Sequence, residues 1–172
     1  MQKALVVIII TLISSFAYSQ DKILTHRGDS IMCKVTEILE NSIKYKYQGE
    51  DIMNSISKNI VSEIIFSNGR VQKISDKIII NSELDWEKVI ITSNNSDVDD
   101  LKRVGEMMAK ASSGWSTTNQ GKMEKLAMDK LKKEAAIQGC HIVLLLTTTG
   151  KGGHAGMSGG AKASVTGVGY KY

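Results

Sequence analysis

The chain has 172 residues, of which 42% are hydrophobic and only 5% aromatic, with no proline and with 22 basic against 18 acidic side chains. The formal charge of +4 is small, and no basic stripe with interleaved aromatics accompanies it, so nothing points to nucleic acid. The two cysteines, Cys33 and Cys140, sit inside predicted strands, where free cysteine behaves as a small buried hydrophobe, although export would allow them to pair.

The N-terminal stretch MQKALVVIIITLISSFAYSQ reads as a secretory signal peptide. Lys3 supplies the basic region, Ala4 to Ile13 the apolar run, and Ala17 and Ser19 the small residues of an A-x-A-like cleavage site. The run is shorter than the roughly 20 apolar residues that a membrane-spanning helix needs. No cysteine lies near the cut for a lipid anchor. Cleavage after Ser19 or Gln20 leaves about 152 residues, in the periplasm or outside the cell, with no further membrane span expected.

Residues 21–80 carry β signals and are expected to form a small antiparallel meander. Ile31, Cys33 and Val35 alternate with polar positions, and so do Ile43, Tyr45 and Tyr47. Strands are expected at 22–26, 31–38, 43–48, 61–66 and 70–74. Gly28 marks one tight turn, and Asn68-Gly69 another, read as a two-residue hairpin. A sheet of this size buries one face only, so it should lean on something else. Asp76 to Asp85 is a junction in which Lys77–Asn81 could form a last strand.

Residues 86–172 are expected to form an α+β domain, a small sheet packed with one principal helix. Trp86–Ser93 reads as a strand with Val89 and Ile91 on one face. Leu101–Ser112 suits either state; Gly105 would cost a helix about 1 kcal/mol, which favours a strand. The clearest signal is QGKMEKLAMDKLKKEAAIQGCHIVLLLTTTG, from Gln120 to Gly150. Met123, Leu126, Ala127, Lys130, Leu131, Glu134 and Ala135 make a helical stripe with apolar members turned to a sheet. Thr118 or Asn119 is the expected N-cap and Gly139 the stop. His141 to Thr149 follows as a strand buried on both faces. A glycine-rich loop over 150–160 leads to a C-terminal strand, with a bulge near Gly167.

The pattern of Ala127, Leu131, Ala135, Ala136, Gly139, Cys140, His141 and Val143 resembles the A-x-x-x-L-x-x-x-A-A helix and glycine-led strand of two families. These are the RcsF-type envelope stress-sensor lipoproteins and the YbjQ-like family, to which heavy-metal binding is ascribed. The resemblance spans residues 86–172 and implies a small α/β module. The chain lacks the lipid-anchor cysteine and the paired cysteines of the sensor lipoproteins, so their signalling role does not carry over. The N-terminal part, with GDSIMCKVTEI and IIFSNG, is similar to a small β module of exported Bacteroidota-type proteins.

No catalytic or cofactor constellation stands out. The weak metal candidates are Cys140, His141 and His154. No pair has zinc-site spacing, and Cys140 and His141, adjacent in a strand, should point to opposite faces. Gly150-Lys151 lacks the glycine, the Ser/Thr and the following helix of a phosphate-binding loop. Ser55-Ile56-Ser57-Lys58 lacks the other elements that a serine acyl-transfer site requires. Trp115, in a polar loop, is a candidate for contact with a partner. The leading expectation is an exported, non-enzymatic binding or structural module that contacts a protein or a cell-envelope component. The alternative is a metal-binding or metal-responsive oligomer.

Overall fold

The structure is a computed structural model; it describes residues 20–113, 120–151 and 160–172. The expected signal peptide, the N-cap at Thr118 or Asn119, and residues 152–159 of the glycine-rich loop lie outside the described residues.

Six strands form the first sheet: β1 (Asp21–Thr25), β2 (Ser30–Ile38), β3 (Ser42–Lys46), β4 (Asn54–Ser57), β5 (Val61–Ile65) and β6 (Val71–Lys73). Their order is β4-β3-β2-β1-β5-β6, and every neighbouring pair is antiparallel. The simple meander is therefore corrected on two counts. Asn54–Ser57 is an additional strand, too short to announce itself by alternation. The chain then returns to pair β5 with β1. In a flat sheet β4 and β5 would lie about 19 Å apart at the usual strand spacing. The four residue steps from Ser57 to Val61 reach about 14 Å at most. The sheet must curl so that its β4 edge comes round towards β5. The link is a tight turn, with Ile60 and Val61 N–H donating to the Ser57 and Lys58 carbonyls.

Both expected hairpin turns are present, but in a three-residue form. Thr25 N–H donates to the Asp29 carbonyl while Gly28 N–H donates to the Thr25 carbonyl, and Phe66, Gly69 and Arg70 repeat this pattern. Gly28 and Gly69 take φ of +96° and +83°, whereas Asn68 keeps a negative φ. The Asn-Gly pair thus supplies one left-handed position, at the glycine, as a type I turn closed by a bulge requires. At the centre of the sheet the Asp21 carboxylate accepts from Val35 N–H at 2.9 Å and Ser67 N–H at 2.8 Å.

Residues 74–81 form no strand, so a last strand at Lys77–Asn81 is not present. The expected strand from Trp86 is also shortened. Glu83–Lys88 is a 3-10 helix capped by Ser82, whose hydroxyl accepts from Leu84 N–H, and only β7 (Ile90–Thr92) is extended. The second sheet continues with β8 (Lys102–Ser112), then helix α1 (Gln120–Ile137), β9 (Ile142–Lys151) and β10 (Lys162–Lys171). Its order is β7-β9-β10-β8, with β7 parallel to β9 and the other pairs antiparallel. Lys102–Ser112 is a strand, as the position of Gly105 suggests. Leu126, expected on the buried stripe of α1, is 41% exposed; the stripe narrows to Met123, Ala127, Leu131, Ala135 and Ala136. Gly139, at φ +67°, ends the helix, and Cys140 and Gly139 N–H close it by donating to the Ala135 and Ala136 carbonyls.

The continuous apolar run of β9 has the expected cause. Val143 joins Met107, Ala109, Leu131 and Val165 in the core under α1. Ile142 and Leu144 point the other way, into a second core with Ile23, Cys33, Ile43 and Ile64 of the first sheet. The second sheet is thus the layer on which the first one leans. Polar ties close the seam: Ser57 Oγ and Asn59 Nδ2 both donate to the Asp97 carbonyl at 3.0 Å, and Arg27 donates to the Asp100 carbonyl at 2.7 Å. The register shift expected near Gly167 occurs there, but the surplus residue belongs to β9. Thr166 faces Thr147 and Gly167 faces Leu145, leaving Leu146 over. Val165 and Val168 look out of step only because β10 is buried on both faces. No helix among the described residues is long and apolar enough to cross a membrane.

Candidate functional site

The β9 start places Cys140 and His141 on opposite sides, as alternation requires. Cys140 is fully buried under α1, packed where a Cβ on Gly169 would come within 2.6 Å of its sulfur. Burial raises its thiol pKa, and Lys171 opposes this only in part. Cys33 lies in the other core, its thiol pushed up to about 11 by burial and by Asp21. Both cysteines are free.

His141 turns to the seam between the sheets. Its ring stacks on Tyr172 at 4.3 Å between centroids, and its Nδ1 accepts from Tyr172 N–H at 3.3 Å. His26, at the end of β1, packs on the same tyrosine at 5.0 Å, and its Nε2 lies 2.8 Å from Ser75 Oγ. The Tyr172 hydroxyl accepts from Ile78 N–H, which draws the junction segment into the same cluster. Burial lowers the pKa of both imidazoles; Lys77 lowers both further, Lys171 and His26 add to this at His141, and Asp76 opposes it at His26. His26 and Tyr172 are the ring partners that sequence reasoning does not pair. They lie at opposite ends of the chain, and no local pattern connects them.

Cys140 and His141 are therefore kept apart. His154 and Trp115 lie outside the described residues. Among the described residues no group of three or more His, Cys, Asp or Glu side chains could hold a metal ion.

The open surface of the second sheet is of another kind. At the end remote from the seam, a groove of about 590 Å³ is lined by Lys110, Ala111 and Ser112 of β8, Lys130 of α1, Thr149, Gly150 and Lys151 of β9, and Lys162, Ala163 and Ser164 of β10. This volume lies within the usual range for ligand pockets, about 300–1,000 Å³. Ala111 and Ala163 are buried among the lining residues, while Lys110, Lys130, Lys151 and Lys162 are exposed. Lys130 Nζ donates to the Lys110 carbonyl at 3.1 Å, which brings the helix across the edge strand. Glu124 lies beyond Gly150, where its carboxylate accepts from Gln120 Nε2 at 2.8 Å.

Charge is unevenly shared along the chain. Residues 21–85 carry nine basic and ten acidic side chains, residues 86–172 twelve and eight. No Asp or Glu occurs in 107–123 or in 139–172, the segments that supply most of the groove. Spacing along the sequence could have shown these two acid-free segments, but not that they meet. Comparison of the chain with protein-family models, with curated proteins and with solved structures returns no match.

Proposed function

We propose that the mature chain is an exported, non-enzymatic binding or structural module of the bacterial cell envelope, and that it engages its partner at the groove at the open end of the second sheet. The observation that carries this reading is the groove itself: a concavity of ligand size, lined by three strands and by Lys130 of the helix, with Ala111, Gly150 and Ala163 among its small residues. Among the described residues the thiols and imidazoles are occupied elsewhere. Both thiols are buried with raised pKa, and His26 and His141 are held against Tyr172. The resemblance of residues 86–172 to envelope modules and the leader-like N-terminus support placement in the envelope.

The test is retention of residues 21–172 on isolated cell-envelope fragments, followed by co-sedimentation. Thr149 is exposed and lines the groove, so Thr149→Trp should fill it without entering either core. Retention is expected to fall at least tenfold in this variant. Equal retention by both proteins overturns the groove as the contact surface. Turnover abolished by changing one polar side chain overturns the non-enzymatic reading.

A further inference from the structure

The register of β9 and β10 sets Lys151 directly opposite Lys162. Like charges so placed destabilise a sheet pair, because their Cβ atoms are only about 4.5–5.5 Å apart. The same juxtaposition occurs twice elsewhere in the molecule. Lys34 faces Lys46 across β2 and β3, and Lys46 there pairs with Asp51 at 3.6 Å. Lys102 faces Lys171, and neither of these takes part in an ion pair among the described residues. At the groove one carboxylate stands close by, that of Glu124 beside Gly150, and it accepts from Gln120 Nε2 instead of pairing with a lysine. Among the described residues, none of Lys110, Lys130, Lys151 and Lys162 takes part in an ion pair. Four lysines therefore line one concavity, and among the described residues none of them is paired with a carboxylate.

We propose that this groove binds a ligand carrying two or more phosphate groups, whose charge the four lysines balance. The inference rests on the groove being the contact surface, and it names the chemistry of the ligand there. The groove contains no arginine, whose planar fork would bind a carboxylate or a phosphate with two parallel bonds. It offers point-charge ammonium groups instead, which suit the tetrahedral distribution of phosphate oxygens, with hydroxyls from Ser112, Thr149 and Ser164 beside them. A single phosphate would leave most of the positive charge uncompensated; a diphosphate, triphosphate or paired headgroup would not.

The probe is inorganic tripolyphosphate, titrated into residues 21–172 by calorimetry and by thermal unfolding at constant ionic strength. Saturable binding that weakens steeply as sodium chloride rises is expected, with a raised melting temperature. Lys151→Gln/Lys162→Gln and Lys110→Gln/Lys130→Gln should each weaken binding at least tenfold. The first pair should also melt no lower than the parent without ligand, since it removes a repulsion, so lost binding will not reflect lost folding. Lys34→Gln/Lys46→Gln, on the first sheet, should bind as the parent does. A second arm separates the sources of phosphate. Flotation with phosphatidylglycerol vesicles, reversed by tripolyphosphate, would assign the ligand to a lipid headgroup; tripolyphosphate binding without flotation would assign it to a soluble phosphorylated molecule. Binding of neither probe, or binding that all the groove variants retain, overturns the proposal. If Thr149→Trp loses envelope retention while the lysine variants keep it, the groove stands as the contact surface and the phosphate assignment falls.

Discussion

Gly167 and Gly169 show how much the packing of α1 depends on single atoms. A Cβ on Gly167 would come within 2.6 Å of Val143 Cγ1 and 2.9 Å of the Leu144 carbonyl oxygen, the latter being backbone that cannot move aside. One on Gly169 would press on Cys140 Sγ and Met107 Cε, both at 2.6 Å. Overpacking of a close-fitted core costs about 1–3 kcal/mol. Gly167→Ala is expected to lose stability in that range, measured by urea unfolding, whereas Gly105→Ala should change little, since nothing lies within 4 Å of the added atom there. At this scale the sequence was partly readable. Gly105 argued against a helix over 101–112, and Gly139 announced the helix end. Gly167 signalled an irregularity, but its actual role, making room for Val143 beneath the helix, depends on which strand lies alongside, and no local pattern carries that.

Among the elements, those with a long periodic signal were readable and those defined by a partner were not. Helix α1 and strand β9 follow from their own stripe and apolar run. Strand β4, only four residues long, exists because β3 offers it an edge. The stretch from Trp86 to Lys88 reads as the start of a strand, yet Ser82 caps a turn over Glu83–Lys88 and the Asp85 carboxylate accepts from Asn81 N–H at 2.9 Å, which fixes a helical turn instead. The seam cluster of His26, Tyr172 and His141 was beyond reach, since it joins the end of β1 to the end of β10. It has a measurable signature. Burial, Lys77 and, at His141, Lys171 lower both imidazole pKa values, and Asp76 offsets this only in part at His26. The unfolded chain takes up protons near pH 6.5, where the folded one resists them. Stability is therefore expected to be level above about pH 7 and to fall as pH drops through 6.5 and below. Melting temperatures between pH 7.5 and 5.5 should decline, and the decline should flatten in His26→Gln/His141→Gln; an equal slope in that variant would remove the cluster as its cause.

For the molecule as a whole, the arrangement of layers matters more than either sheet. The division into residues 21–80 and 86–172 follows the change of sequence pattern, yet Val98, Leu101, Ile142 and Leu144 share one core with Ile23, Ile43 and Ile64. Two parts with a common core should lose their structure together. With Trp115 replaced by phenylalanine, unfolding followed by the fluorescence of Trp86, which packs beside α1, is expected to coincide with unfolding followed by amide exchange at Ile43 and Ile64. Separate midpoints would show that the shared core is not what couples them. That the first sheet needed a cover was evident from its size and its single apolar face. That the cover would be the reverse side of β9 was not, because an apolar run shows that both faces are buried and leaves open against what.

This sharing also sets an order of events. A chain that emerges N-terminus first, from a ribosome or through a membrane, presents β1 to β6 before Ile142 and Leu144 exist to close over them. Through the synthesis of the intervening residues the apolar side of the first sheet stands open to water, to proteases and to other nascent copies. Tyr172, the residue that both seam histidines pack against, arrives after all the described strands and the helix. Shortened products ending before β9 are thus the forms most prone to adhere to one another.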